Sequence, residues 1–348
     1  MVSHRSPIAE IDSHLLSCPE DLTERERSGE TTRFGNGSGI RESDLARIDE
    51  QQVHSAGNAS QIWRSFHAHY DTRHYLDTKG NILDPLRQVA EFFGKPAEDT
   101  ILFENQGKHC FEIRLMLDKI GKGSRILDIG GGMGVNLLCL HRMMGTALQL
   151  FLVDRFQEYA DDNPMGPWTT GLQLMQQAAI SVTNQDFWDD YSLRYDSDQF
   201  DLVTCFDVIE HFPGHPLRLL GEVKRILRPE GAFILGGPNA IALNRRIKLL
   251  VGMHPYIAFQ GWCSAKYIGH FREYSAKEYQ QLLEMAGLEC VETYLVPEPM
   301  ATRARYSYHK RKHSWISPKS VALRAAYLLE LLVPGFRQSA YFVASKTL

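Results

Sequence analysis

Ser124 to Asn136 reads S-R-I-L-D-I-G-G-G-M-G-V-N. The run Ile126-Leu127-Asp128-Ile129, apolar but for one carboxylate, has the composition of a buried parallel strand. Three glycines follow it before a helical pattern begins at Val135 and continues to Met144. Strand, tight turn and helix in that order predict an α/β unit. Glycine is needed because the turn uses dihedrals closed to other residues and must let main chain approach a ligand. The expected occupant is a nucleotide-like molecule.

Spacing decides which nucleotide. The dinucleotide fingerprint Gly-x-Gly-x-x-Gly is met by Gly130 and Gly132, but its third position falls on Val135, so a nicotinamide oxidoreductase stands only as a rival reading. The pattern that fits is Asp-x-Gly-x-Gly-x-Gly, as Asp128, Gly130, Gly132 and Gly134. In this the sequence resembles the class I S-adenosylmethionine (SAM) dependent methyltransferases. The resemblance implies a turn wrapped around the methionine end of SAM, with Asp128 organising its ammonium group. A cationic ligand favours a carboxylate nearby, and Asp128 supplies one.

Further stations follow in order. Gln149 to Val153 is a second apolar strand ending on Asp154, 20 residues beyond Gly134, where an acid can accept hydrogen bonds from both ribose hydroxyls. A helix from about Thr170 to Ala178 leads to the strand Ile180-Ser181-Val182, which exits through Gln185-Asp186-Phe187. By position, the resemblance gives Asp186 the adenine amino group and Phe187 the ring face. Phe200 to Pro213, F-D-L-V-T-C-F-D-V-I-E-H-F-P, reads as a fourth strand from Phe200 to Phe206 followed by Asp207-Val208-Ile209-Glu210-His211. This stretch resembles the small-molecule methyltransferases related to the ubiquinone-biosynthesis O-methyltransferase, in which the chain after that strand meets SAM on one side and the acceptor on the other. Phe206 is therefore placed among the cofactor contacts. The resemblance implies a Rossmann-like, doubly wound sheet of seven strands, the last antiparallel.

The same segment narrows the chemistry. The tetrapeptide Asn/Asp-Pro-Pro-aromatic of amino-group methyltransferases is replaced by Phe206-Asp207-Val208-Ile209, and Cys205 lacks the preceding proline of a cytosine-C5 nucleophile. Cys205 reads as a packed thiol. With a net charge of -4 and a pI near 6.4, no nucleic-acid partner is expected. Six cysteines without a C-x-x-C pair read as reduced, intracellular thiols, and no metal site is implied. No apolar stretch reaches the ~18–20 residues of a membrane span, so the expectation is a cytoplasmic protein, soluble or peripheral at a membrane.

Outside the core, residues 1–58 are polar and charged and read as a disordered tail. Residues 59–123 form a helical preface: Trp63, Phe66 and Tyr70 recur at helical spacing, Asp84-Pro85 opens a helix closed by Gly94 and Pro96, and Gly107 to Ile120 forms another. Whether this preface is a lid over the cofactor or a cover for one sheet face stays open. Residues 124–348 are the methyltransferase domain, with insertions at 240–267 and 299–335. The first carries the basic helix Asn244 to Val251. The second has no acid from Pro299 to Leu329, while Arg303, Arg305, Lys310, Arg311, Lys312, Lys319 and Arg324 alternate with aromatics ahead of an apolar helix. That composition suits an interfacial membrane contact, and a solvated loop beside a sheet-packed helix is the plain alternative.

The expected chemistry is methyl transfer to a small-molecule or lipid- or sugar-linked acceptor, with a hydroxyl oxygen as nucleophile and a base to take its proton. The candidates are His211, then His270, then Glu210; His211 capping the next helix and His270 merely packing are the plain alternatives. A SAM-binding regulatory protein without catalysis keeps every cofactor station and needs no base.

Overall fold

The computed structural model describes residues 80–92, 106–155, 168–186, 191–256, 269–297, 325–326 and 328–346. The expected tail, the Trp63–Tyr70 helix, Phe187 and the basic stretch up to residue 324 lie outside the described residues. Within them the chain runs α1 (Gly80–Phe92), α2 (Gln106–Leu117), β1 (Arg125–Ile129), α3 (Val135–Met144), β2 (Gln149–Asp154), α4 (Trp168–Gln177), β3 (Ser181–Asn184) and β4 (Phe200–Phe206). It continues through α5 (Leu217–Ile226), β5 (Leu227–Pro238), α6 (Leu243–Leu250), α7 (Ala276–Met285), β6 (Leu288–Val296) and β7 (Ser339–Lys346).

The seven strands make one sheet in the order β3-β2-β1-β4-β5-β7-β6, parallel except for β7, which is antiparallel to both neighbours. The expected Rossmann-like sheet with an antiparallel last strand is therefore present. The chain walks outward from β1 to β3 and then returns to lay β4 against the other side of β1. That reversal opens a crevice at the carboxyl ends of β1 and β4, where ligands bind in sheets of this kind.

Alternation along each strand builds two cores. Ile126, Leu152, Leu202 and Ile234 join the layer containing α1, α2 and α3, whereas Leu127, Ile129, Val203 and Leu235 face the layer containing α5 and α7. Central strands buried on both faces read as continuous apolar runs, and this is why β1, β4 and β5 were conspicuous.

One local expectation needs correction. Asp84-Pro85 does not open its helix: α1 begins at Gly80, Pro85 lies inside it, and Asp84 pairs with Arg87 at 3.3 Å. Burial of Ile82, Leu86 and Val89 on either side of Pro85 carries the helix across the proline despite the N–H it lacks. The turn Arg228-Pro229-Glu230-Gly231 is not a separate loop. It bulges within the long strand β5, which pairs Leu227 with Phe200 and then Ala232 with Leu202. The last strand runs from Ser339 to Lys346.

The capping box at Ser275 is formed as its sequence indicates. The Ser275 hydroxyl accepts from the Glu278 amide at 3.4 Å, and the Glu278 carboxylate accepts from the Ser275 amide at 2.7 Å. Gly287, at φ 70°, ends that helix in a left-handed conformation. Ser275→Ala should destabilise the fold by about 1 kcal/mol, read as a lower urea midpoint at unchanged slope.

Candidate active site

The glycine turn closes over the end of β1. Gly130 and Gly134 have φ of 69° and 70°. A Cβ on Gly130 would strike the Val208 side chain, and one on Gly134 would meet the Met175 sulfur at 2.5 Å. The turn is thus locked against the exit of β4 on one side and α4 on the other. A Cβ on Gly132 meets nothing within 4 Å, so this residue marks the open side of the cradle.

Three carboxylates converge beneath the turn. Asp128, 2% exposed, accepts a hydrogen bond from the Thr204 hydroxyl at 2.7 Å across the β1–β4 pair. Burial raises its carboxyl to about 7, and the negative charges of Glu112 and Asp154 add to the rise against the Thr204 bond. Asp154 is raised to about 6 by burial, opposed by backbone N–H bonds that include Gly132 at 2.8 Å. Glu112, on α2, accepts from Asn136 at 3.0 Å and from the Tyr341 hydroxyl at 3.0 Å. Burial pushes Glu112 upward, but the hydrogen bond from His109, the nearby Lys108 charge and Asn136 outweigh it and leave the carboxyl below its usual range. Asp128 and Asp154, buried and without a basic side chain bonded to either among the described residues, suit a ligand carrying an ammonium and a sulfonium.

At the far side of the crevice, β4 runs into Asp207, which has φ 53° and is ion-paired with Lys108 of α2. The preface helix thereby borders the crevice. The turn Ile209–His211 follows. The main-chain carbonyl of Glu210 accepts from the amides of Phe271 at 2.8 Å and Arg272 at 3.2 Å, which brings the distant residue His270 to the same place. The imidazoles of His211 and His270 meet edge to face, 4.8 Å between centroids, and His270 Nε2 lies 4.0 Å from Glu210 Oε1. The three residues singled out in sequence therefore form one cluster. Their ligand atoms lie within 4.8 Å of one another, a donor set that can also hold a divalent cation.

Their environments differ. Glu210 is 0% exposed, and neither of its carboxylate oxygens takes a hydrogen bond among the described residues. Burial raises its carboxyl to about 7. Burial and the neighbouring His270 depress His211 to about 4, against a bond to the Gly269 backbone. His270 is half-buried, and its Nδ1 lies 2.8 Å from Glu273 Oε1. Glu273 is in turn gripped by Arg245 through two bonds of 2.7 and 3.0 Å.

Asp186 stands at the exit of β3, where Arg155 pairs with it at 3.1 Å. Phe206 packs edge to face on Tyr341 at 5.9 Å. Cys205 is buried within β4 as a free thiol, and burial lifts it well above the ordinary thiol range. Sequence reasoning missed Glu112, Thr204, Asn136 and Glu273, and took Arg245 only as a cation of the basic helix, for an anionic acceptor or a membrane surface. Glu112 had a signal, being a lone acid between Phe111 and Ile113; the pairing of Arg245 with Glu273, 28 residues away, had none.

Residues 102–293 match the family model of the methyltransferase domain, more than half of the chain. The chain belongs to that family, and its fold and glycine turn are those of the class I SAM-dependent methyltransferases. It is 27% identical over 126 residues to the ubiquinone biosynthesis O-methyltransferase of Glaesserella parasuis, a match covering 34% of this chain and 48% of that one. The chain thus spans about half the length of that curated relative. Among solved structures, it resembles a chain of the complex between the Haloferax volcanii Trm112 methyltransferase activator and a methyltransferase, with 16% identity and a TM-score of 0.46, over 75% of this chain and 99% of that one. Phosphoethanolamine N-methyltransferase 2 of Haemonchus contortus, solved with S-adenosyl-L-methionine, matches at 16% identity and a TM-score of 0.45, over 70% and 53% of the two chains.

The Asp128 carboxyl at about 7 carries a sign-definite consequence. A carboxyl attracts a cation only when ionised, so if Asp128 holds the donor's ammonium, SAM affinity is expected to be full above that pH and to fall below it, by up to ~10-fold per pH unit. Asp128→Asn should bind SAM weakly and flatten this dependence, as calorimetric titration at a series of pH values will read.

Proposed function

We propose that the protein transfers the methyl group of SAM to a hydroxyl oxygen of a small-molecule or lipid- or sugar-linked acceptor. The observation that carries this reading is the cluster of His270, His211 and Glu210 beside the crevice, joined to the donor turn by the contact between Gly130 and Val208. When bound, the sulfonium supplies an activated methyl whose departure leaves a neutral thioether. What the protein must add is alignment and a place for one proton.

For the donor, Asp128 faces the ammonium, Asp154 the ribose hydroxyls and Asp186 the adenine edge, with Gly130, Gly132 and Gly134 giving the main-chain cradle. Phe206 and Phe187 serve as apolar contacts. For the acceptor, His270 is the favoured base. Glu273 holds its Nδ1, Arg245 fixes Glu273, and Nε2 is left on the side of Glu210. An imidazole oriented by a carboxylate in this way accepts a proton at its other nitrogen and is stabilised once charged. Glu210, close to neutral pH in its titration, can share that proton. His211, depressed to about 4, stays neutral throughout the working range and is the weaker base.

His270→Ala should lower kcat by ~10²–10⁴-fold while SAM binding stays within error of the native protein. Glu273→Gln should lower kcat less and displace the pH–rate profile, because it leaves the imidazole but removes the charge that orients it. His211→Ala should have the smallest effect of the three, and the reverse ranking would make His211 the base. Chelation with EDTA separates this from metal chemistry: an unchanged rate is expected, whereas a rate lost and then restored by Mg²⁺, Mn²⁺ or Zn²⁺ reassigns the cluster to a cation. Bound SAM with no product from any hydroxylated acceptor would leave a binding protein without turnover.

A further inference from the structure

We infer that the apolar edge formed by α6, the turn after it and the helical residues 328–332 docks the protein onto an anionic lipid surface. This rests on observations separate from those behind the methyl-transfer reading. Leu249, Leu250, Val251 and Met253 are 60%, 85%, 65% and 58% exposed, and Leu328 and Leu332 are 58% and 73% exposed. Scattered apolar side chains on a surface are ordinary; two runs of this kind that border one another are not. They are joined through the turn Pro334–Phe336, which lies against α6 with the Arg246 guanidinium 5.4 Å from the Phe336 ring.

Charge selects the occupant. The chain carries a net charge of -4, yet residues 240–254 contain Arg245, Arg246 and Lys248 and no acid. Between residues 299 and 338 the sole acid is Glu330. It is 4% exposed, and Gln338 donates to its carboxylate at 3.2 Å. With Arg245 paired to Glu273, this edge among the described residues offers carbon and the cations Arg246 and Lys248 without an exposed carboxylate. A second copy docking the same edge would set like charges against each other. A bilayer with anionic headgroups takes both, the leucines entering the acyl boundary and the basic side chains reaching the phosphates. No helix among the described residues is long and apolar enough to cross a membrane, and α6, two turns long, suits an in-plane contact. The docking helix also carries Arg245, the residue that fixes Glu273, so the lipid surface lies next to the acceptor side of the crevice.

The test is co-sedimentation of the full chain with vesicles of phosphatidylcholine alone or mixed with phosphatidylglycerol. Pelleting is expected with the mixed vesicles and should weaken as sodium chloride is raised. Leu250→Glu and Leu332→Glu should each reduce it by about tenfold or more while thermal melting and S-adenosylhomocysteine binding stay unchanged. The inference is overturned by a chain that stays in the supernatant with both vesicle types, or by variants that pellet like the native protein. A dimer in solution that Leu250→Glu dissolves would also overturn it, assigning the edge to a second copy. Since S-adenosylhomocysteine binding is read on the same samples, loss of the docking and loss of the donor site are told apart.

Discussion

One hydroxyl-to-carboxylate bond, from Thr204 on β4 to Asp128 on β1, sits where the rest of the molecule meets. Asp128 has been taken out of water, and a lone buried carboxylate is costly unless it is neutralised or bonded. The protein gives it one donor from the neighbouring strand and two other carboxylates close by. The outcome is a carboxyl whose charge is balanced near pH 7. The sheet order makes this possible, because only the return of β4 to the side of β1 brings Thr204 opposite Asp128.

The same strand pair couples the two halves of the crevice. Val208 presses on the space a Cβ would need at Gly130, so the donor turn and the segment bearing Glu210 and His211 cannot shift independently. Alignment of this kind suits a reaction whose leaving group is already activated, where holding atoms in line supplies most of the rate. The backbone of Glu210 extends the coupling by fastening Phe271 and Arg272, which carries His270 into the site from far along the chain.

Sequence revealed what has local periodicity or a compact signature. The doubly buried strands β1, β4 and β5 appeared as apolar runs, the turn as its glycines, and α7 as its capping box. What remained hidden depends on contacts between elements remote in sequence. Arg245, Glu273 and His270 become a unit where Asn239, just after β5, bridges to Tyr274 and the Glu210 carbonyl holds Phe271 and Arg272, an arrangement with no pattern in the chain. Asp84-Pro85 misled for the opposite reason: a good local start signal was overridden by the burial of Ile82 one turn earlier. The bulge at Arg228–Gly231 shows the same tension, a turn signature absorbed into a long strand by pairing on either side of it.

The hairpin of β6 and β7 has an open end at Val296 and Ser339, the last pair in its register. Everything between those two residues leaves and rejoins the sheet at a single point. Lengthening, shortening or exchanging that excursion therefore leaves every strand pairing in place. The crossover from β5 to β6 carries α6 outside the sheet in the same way. New surface can thus be grafted onto this half of the fold while β1 keeps its register with β2 and β4.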